Sequence, residues 1–346
     1  MRKKTFVGAL CLAAALLESH EASACAGCRN PSLAVSRGNE GPLDQGALRL
    51  GASLTGTTVH VIHEAGCRDP AVCTEVPTQP LYLHDQRLYP IELRIAAEYG
   101  LTTTFGIEAQ MPFRLVRTTI EYTTPDGAPY EPLDAGVHHR DETIAGPGDP
   151  WILVRIGGLV ETWWIAVRPG VSLPVGKTEE NPFALGDRGL EHQHVQLGSG
   201  TVDPVMVLEA SNAFDDVTLE LFAQGQASLY ENRHGYRSPW RVYGGFALGT
   251  TLVGDLSGSL GIEAFHEDAE RWDGQIRQDG NLGRTEVLGA ATLTQVLGAT
   301  ELSLTLRAPA WRHIVTGDEP PGTLSSPLTI SLGITHVFGG KDLPRK

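Results

Sequence analysis

The sequence predicts an all-β fold, a transmembrane antiparallel β-barrel of about 12 strands. Three observations predict it. Hydropathy alternates with period two over many segments, and no stretch reads as a convincing amphipathic helix. The connections between these segments alternate between short and long. The chain also opens with an export signal. Tight turns at one end and long loops at the other are the habit of an outer-membrane barrel. A secreted soluble β-sandwich is the alternative, but it has no reason to collect its short turns at one end.

Residues 1–24 form the signal. Arg2, Lys3 and Lys4 precede an apolar run from Phe6 to Leu17, too short to span a bilayer, and Ala22-Ser23-Ala24 supplies the cleavage site. Cleavage there leaves Cys25 at the new N-terminus. Lipoprotein processing also cuts before a cysteine, but it usually takes Leu or Val where this chain has Ala22. Residues 25–45 hold Cys25-x-x-Cys28 and are rich in turn formers. They read either as a periplasmic leader or as a partial plug folded into the lumen.

Residues 46–338 form the barrel. Candidate strands fall at 46–60, 87–99, 103–122, 149–158, 162–174, 202–211, 216–230, 239–250, 256–267, 283–295, 300–313 and 326–338. Ile91-Glu92-Leu93-Arg94-Ile95 shows the pattern, apolar at odd positions and charged at even ones. Short turns are predicted at 100–102, 159–161, 212–215, 251–255 and 296–299. Long external segments are predicted at 61–86, 123–148, 175–201, 231–238, 268–282 and 314–325. An even strand count leaves both termini on the periplasmic side. Tyr89, Tyr99, Trp151, Trp163, Trp164, Trp240, Tyr243, Trp311 and Phe338 lie near strand ends and predict interfacial girdles. Phe338 closes the last strand, and residues 339–346 form a short tail with basic residues.

Gly148-Asp149-Pro150-Trp151, then Val171-Ser172-Leu173-Pro174-Val175-Gly176-Lys177, then Gly198-Ser199-Gly200 make a recognisable pattern across the central strands. It resembles the outer-membrane transporter family associated with phenol degradation pathways, related to the long-chain fatty acid channels. The match covers about 150–211. The resemblance implies a β-barrel with a transport role.

With the apolar face on outer-membrane lipid, the other face lines the lumen. It carries Glu92, Arg94, Glu98, Glu108, Gln110, Arg114, Arg155, Arg168, Glu209, Glu220, Gln224, Glu263, Glu301 and Arg307. Mixed charge of this kind builds either a polar pore for small solutes or internal salt bridges that fill the barrel. Phe222, Tyr243 and Trp164 share the inward parity, which suits interior packing or an apolar aromatic solute. The formal net charge of −14 becomes −15 once the signal takes away three cations and two anions. That acidity excludes nucleic acid, which needs a basic face.

Four cysteines remain after the signal. Cys67 and Cys73, with five residues between them in the first external loop, suit a local disulfide in an oxidising compartment. Cys25 and Cys28 suit a second disulfide, a thiolate site for copper or zinc, or lipid attachment at Cys25. Haem attachment requires a histidine at position 29, where this chain has Arg29. His138 and His139 in the second external loop, and His192 and His194 in the third, are a further metal candidate set; solvated loop polarity is the bland reading. No cofactor is otherwise expected.

Catalysis is not expected. There is no Gly-x-Ser-x-Gly elbow and no Walker loop. His266, His313 and His336 on the wall have no evident serine partner. The function expected is therefore a channel or transporter for small solutes, apolar ones among them. The alternative is a barrel that binds metal or a partner protein through its CxxC segment or histidine loops.

Overall fold

The computed structural model describes residues 41–65, 80–133, 140–277, 280–316, 322–325 and 328–339. The predicted signal, Cys25, Cys28, Cys67, Cys73, His138, His139 and residues 340–346 lie outside the described residues.

In chain order the strands are β1 (Leu48–Thr57), β2 (Val59–Ala65), β3 (Tyr82–Gly100), β4 (Phe105–Thr123), β5 (Glu142–Pro147), β6 (Trp151–Val160), β7 (Trp163–Ser172), β8 (Asp203–Phe214) and β9 (Val217–Gln226). They continue with β10 (Tyr236–Arg237), β11 (Arg241–Val253), β12 (Leu256–Glu267), β13 (Arg271–Trp272), β14 (Arg284–Leu297), β15 (Thr300–Ile314), β16 (Gly322–Ser325) and β17 (Thr329–Phe338). One helical turn, α1 (Pro182–Gly186), lies between β7 and β8.

Twelve of these strands close a ring. The order runs β1, β3, β4, β6, β7, β8, β9, β11, β12, β14, β15, β17, and β17 pairs back onto β1 with Leu48 opposite Phe338. Each pairing is antiparallel. The predicted barrel and its strand positions are therefore observed. Short connections fall at 101–104, 161–162, 215–216, 254–255 and 298–299, all at one end. Two-residue hairpins need a left-handed backbone, and Glu161, Asp215, Gly254 and Gly298 supply it with φ of 56°, 52°, 56° and 63°.

The outer end differs from expectation. Residues 61–86 and 123–148 are not all loop. β2 continues the line of β1, pairing Val59 with Leu88, and β5 continues β6, pairing Phe113 with Pro147. β3 and β4 each run 19 residues, well beyond the ~10 that cross a bilayer. Their outer halves rise past the lipid, with β2, β5 and β16 alongside. The line from β5 to β6 breaks at Gly148–Pro150, where Pro147 and Pro150 have no N–H to offer a ladder.

The burial pattern is inverted relative to a soluble sheet. Ile91, Leu93 and Ile95 are 40%, 38% and 47% exposed, while Glu92, Arg94 and Glu98 between them are 8%, 6% and 0% exposed. A water-soluble sandwich would bury the first set and solvate the second. The same inversion holds at Leu50, Leu208, Phe246, Ile262 and Leu332 around the ring. An apolar outer face of this kind is the habit of a barrel wall that meets lipid.

Three residues of the predicted girdle lie on the inward face: Trp164 and Tyr243, as their parity predicts, and Trp151, expected only at the rim. Trp151 and Tyr243 are buried, because each shares the parity of the charged face: Trp151 that of Arg155 on β6, Tyr243 that of Arg241 on β11. Tyr99, Trp240, Trp311 and Phe338 are exposed, as a girdle requires.

Candidate functional site: the barrel lumen

The lumen is built by strand register. Arg49 sits opposite Glu98 across β1 and β3, and Glu98 opposite Glu108 across β3 and β4. These side chains meet at the periplasmic half of the interior. Arg168 is their hub, with Nη1 3.1 Å from Glu98 and 2.7 Å from Glu108, and Nε 2.7 Å from Glu209. Glu98 also takes Arg49 Nη1 at 3.1 Å and the Arg155 guanidinium. This belt joins six consecutive strands, β1, β3, β4, β6, β7 and β8.

A second group lies further out on β3 and β4. Glu92 takes Arg94 at 2.7 Å and Arg114 at 2.9 Å. Arg94 also donates to Gln110 at 2.9 Å, and Gln110 donates to Glu108 at 2.8 Å, which ties this group to the belt below. The Arg94 guanidinium lies 5.0 Å from the centre of the Trp151 ring, a cation–π contact.

The opposite wall has its own chain. Arg307 Nε is 2.7 Å from Glu263 and donates to the Tyr243 hydroxyl oxygen at 3.1 Å. Its Nη1 donates to Ser331 at 3.1 Å, and Ser331 meets Thr55 at 3.0 Å. Tyr243 also donates to Glu263. Burying unpaired charges in this interior would cost several kcal/mol each; mutual pairing removes most of that penalty.

Of the lumen residues predicted from parity, Glu92, Arg94, Glu98, Glu108, Gln110, Arg114, Arg155, Arg168, Glu209, Glu263 and Arg307 enter these groups. Gln224 lines a cavity above them. Glu220 is half-buried on β9. Glu301 shares the parity of Arg307 but stays exposed at the periplasmic end of β15.

That cavity is open to solvent, and about 720 Å³ of unfilled space lies in it and its mouth together. Arg94, Arg114 and Trp151 line one side, and Gln226, Arg241, Tyr243 and Phe265 another. Arg241 Nε is paired with Glu267 at 2.7 Å. The remaining boundary is the third external loop, which bends inward at Gly198 and Ser199.

Asp149 holds that loop. Its Oδ1 accepts from the Gly176 amide at 2.8 Å, and its Oδ2 accepts from the Ser199 amide at 2.6 Å and the Ser199 hydroxyl at 2.9 Å. Gly176 and Gly198 pass so closely that a Cβ on Gly198 would stand 2.5 Å from Asp149 Oδ1 and 2.7 Å from the Gly176 Cα. Arg114 adds a bond to the Leu197 carbonyl at 3.1 Å. The three sequence motifs at 148–151, 171–177 and 198–200 are thus one clasp. Spacing along the chain gave no sign of it, since Asp149 and Ser199 are 50 positions apart.

Past the clasp the same loop carries His192 and His194. Both are buried rather than solvated. Their rings are 5.3 Å apart, His192 Nδ1 meets the Leu190 carbonyl at 2.9 Å, and His194 packs edge-on against Phe183 at 5.1 Å. Among the described residues no group of three or more His, Cys, Asp or Glu side chains is placed to hold a metal ion.

At the other end, the segment leading into β1 crosses the periplasmic mouth. Arg49 Nη2 donates to the Pro42 carbonyl at 2.7 Å and Arg155 Nη2 to the Leu43 carbonyl at 3.4 Å. Leu43 and Ala47 are buried.

No family model matches the chain, and no curated protein matches it. Among solved structures, an outer membrane channel from Pseudomonas putida F1 aligns with a TM-score of 0.57 at 12% identity, over 88% of this chain and 100% of that one. A FadL homologue from Pseudomonas aeruginosa gives 0.36 at 10% identity, over 84% and 89%. A deletion mutant of the TodX monoaromatic hydrocarbon channel gives 0.41 at 9% identity, over 85% and 90%. The first of these likenesses carries the comparison: the chain has the fold of an outer-membrane β-barrel.

Proposed function

We infer that the chain is an outer-membrane channel for small solutes in a Gram-negative cell. The observation that carries this reading is the inverted wall, apolar outside and charged inside, around a solvent-open cavity lined by polar and aromatic side chains. The lining mixes guanidinium and amide groups with the rings of Trp151, Tyr243 and Phe265, so a solute with an apolar aromatic body finds surface there. The fold likeness to a protein described as an outer membrane channel supports the same reading.

In this reading the solute enters past the Asp149-held loop, rests in the cavity and leaves past the charged belt and the 41–47 segment. Protein refolded into planar bilayers tests it. The expected outcome is discrete conductance steps, with swelling of liposomes in small solutes. A folded barrel that passes neither ions nor any small solute would end the transport reading.

A further inference from the structure

Three outer loops meet above the lumen around one carboxyl group. Glu270, between β12 and β13, is 1% exposed. Its Oε1 accepts from the Trp272 indole N–H at 3.3 Å and from the Asn281 amide at 3.2 Å. Its Oε2 is buried with no hydrogen-bond partner among the described residues. Beside it the Trp272 ring packs on Tyr236 from β10 at 4.8 Å and on Phe183 from α1 at 6.2 Å. Asn181, the residue capping α1, donates to Asp273 at 2.7 Å. One cluster therefore pins together the 173–202 and 227–240 loops and the described parts, 268–277 and 280–283, of the loop after β12, and the first of these is the loop Asp149 bends into the lumen.

A carboxylate with an unsatisfied oxygen in such a place is costly; the protonated acid, uncharged, costs much less. The charged groups facing it offset little of the cost. Glu267 on β12 repels a charge on Glu270, and the Arg241 guanidinium on β11, which favours that charge, is itself paired with Glu267. Arg277 lies over the Phe183 ring at 4.7 Å rather than on the carboxyl. Asp273 is engaged with Asn181, and His192 and His194 pack on the Phe183 side of the cluster.

We propose that the outer cap is a proton-operated latch: protonated Glu270 keeps the three loops docked over the lumen, and loss of its proton undocks them. The inference rests on the channel reading for its physiological sense, as regulation of the same lumen. Its sign follows from the direction of titration. Burial, foremost, pushes Glu270 up to about 7 from the ordinary 4.5. A group raised in the docked state contributes stability in acid that is lost as pH climbs through that raised value. The cap is thus tightest in acid and loosens as pH climbs from about 4.5 through about 7.

Amide hydrogen exchange of the whole refolded barrel, corrected for intrinsic rates, tests the latch. Protection of the amides at Trp272 and Asn281 should fall roughly thirtyfold between about pH 5.5 and about pH 8.5. Glu270→Gln should abolish that pH dependence while the wall strands stay protected. Trp272→Phe, which takes away one donor to the carboxylate, should move the transition to higher pH. Unchanged pH dependence in Glu270→Gln, or invariant protection in the native chain, overturns the latch. Conductance over the same pH range separates the two readings. Switching protection in a barrel that conducts at no pH keeps the latch and ends the channel reading. Steady conductance with invariant protection does the reverse.

Discussion

Asp149 decides how the third external loop sits in the lumen. It is 8% exposed, and three donors converge on its two oxygens. Asp149→Ala would leave the Gly176 and Ser199 amides buried without partners, a cost on the order of 3 kcal/mol to the docked loop. The loop between β7 and β8 should then be cut by protease several times faster, at Lys177 or Arg188, and single-channel conductance should rise. Proteolysis rates and bilayer recordings check the two halves. Unchanged cleavage would mean that Arg114 and the glycine contacts hold the loop unaided. The motifs around this residue stood out in the sequence, but their purpose did not. Three short patterns at 148–151, 171–177 and 198–200 carry no statement that they touch. The contact exists because the long loop folds back into the barrel, and loop paths leave no period to read. Trp151 was misplaced for a related reason. Its nearness to a strand end suggested a girdle, whereas its parity with Arg155, already legible, pointed inward.

At the scale of the strand, alternation did nearly all the work. On β3 the apolar Ile91, Leu93 and Ile95 and the charged Glu92 and Arg94 fall on opposite faces as their spacing requires. What alternation could not give was the end of each element. β3 begins at Tyr82, not 87, and β5 is a strand where a loop was expected, because pairing beyond the bilayer needs no apolar face and leaves no alternation of the same kind. Parity also makes a sharp prediction about which face meets lipid. Ile95→Arg puts a guanidinium into hydrocarbon and should cost about 2–4 kcal/mol if the residue lies near the membrane midplane. Ile95→Leu should be close to neutral. Urea unfolding in phospholipid vesicles, followed by tryptophan fluorescence, measures both. Equal stability of Ile95→Arg and the native chain would mean that this face is not in lipid.

Over the whole molecule, the buried charges tie the ring together across its strands. The periplasmic belt spans β1 through β8, and the Arg307 group reaches from β11 across β12 to β17 and β1. Removing a hub should therefore differ in kind from removing a rim member. Glu98 is 0% exposed and takes three guanidinium groups. Glu98→Ala leaves those cations facing one another with two glutamates, Glu108 and Glu209, still on Arg168 alone. Breaking a buried ion network by removing one partner costs about 3–5 kcal/mol, and the loss should be global because the belt joins six strands. Arg49 is a rim member. Arg49→Ala leaves Glu98 paired with Arg155 and Arg168, so the barrel should lose much less stability. It does, however, remove the donor that holds the Pro42 carbonyl, so the segment at 41–47 should come away from the periplasmic mouth. The two variants thus separate two roles of one network. Glu98→Ala should lower the urea midpoint of the entire barrel, while Arg49→Ala should keep that midpoint nearly unchanged and speed exchange at the Gly46 and Ala47 amides. If Arg49→Ala unfolds the barrel as readily as Glu98→Ala, the belt is a single cooperative core, and the N-terminal segment is part of the wall rather than a stopper held against it.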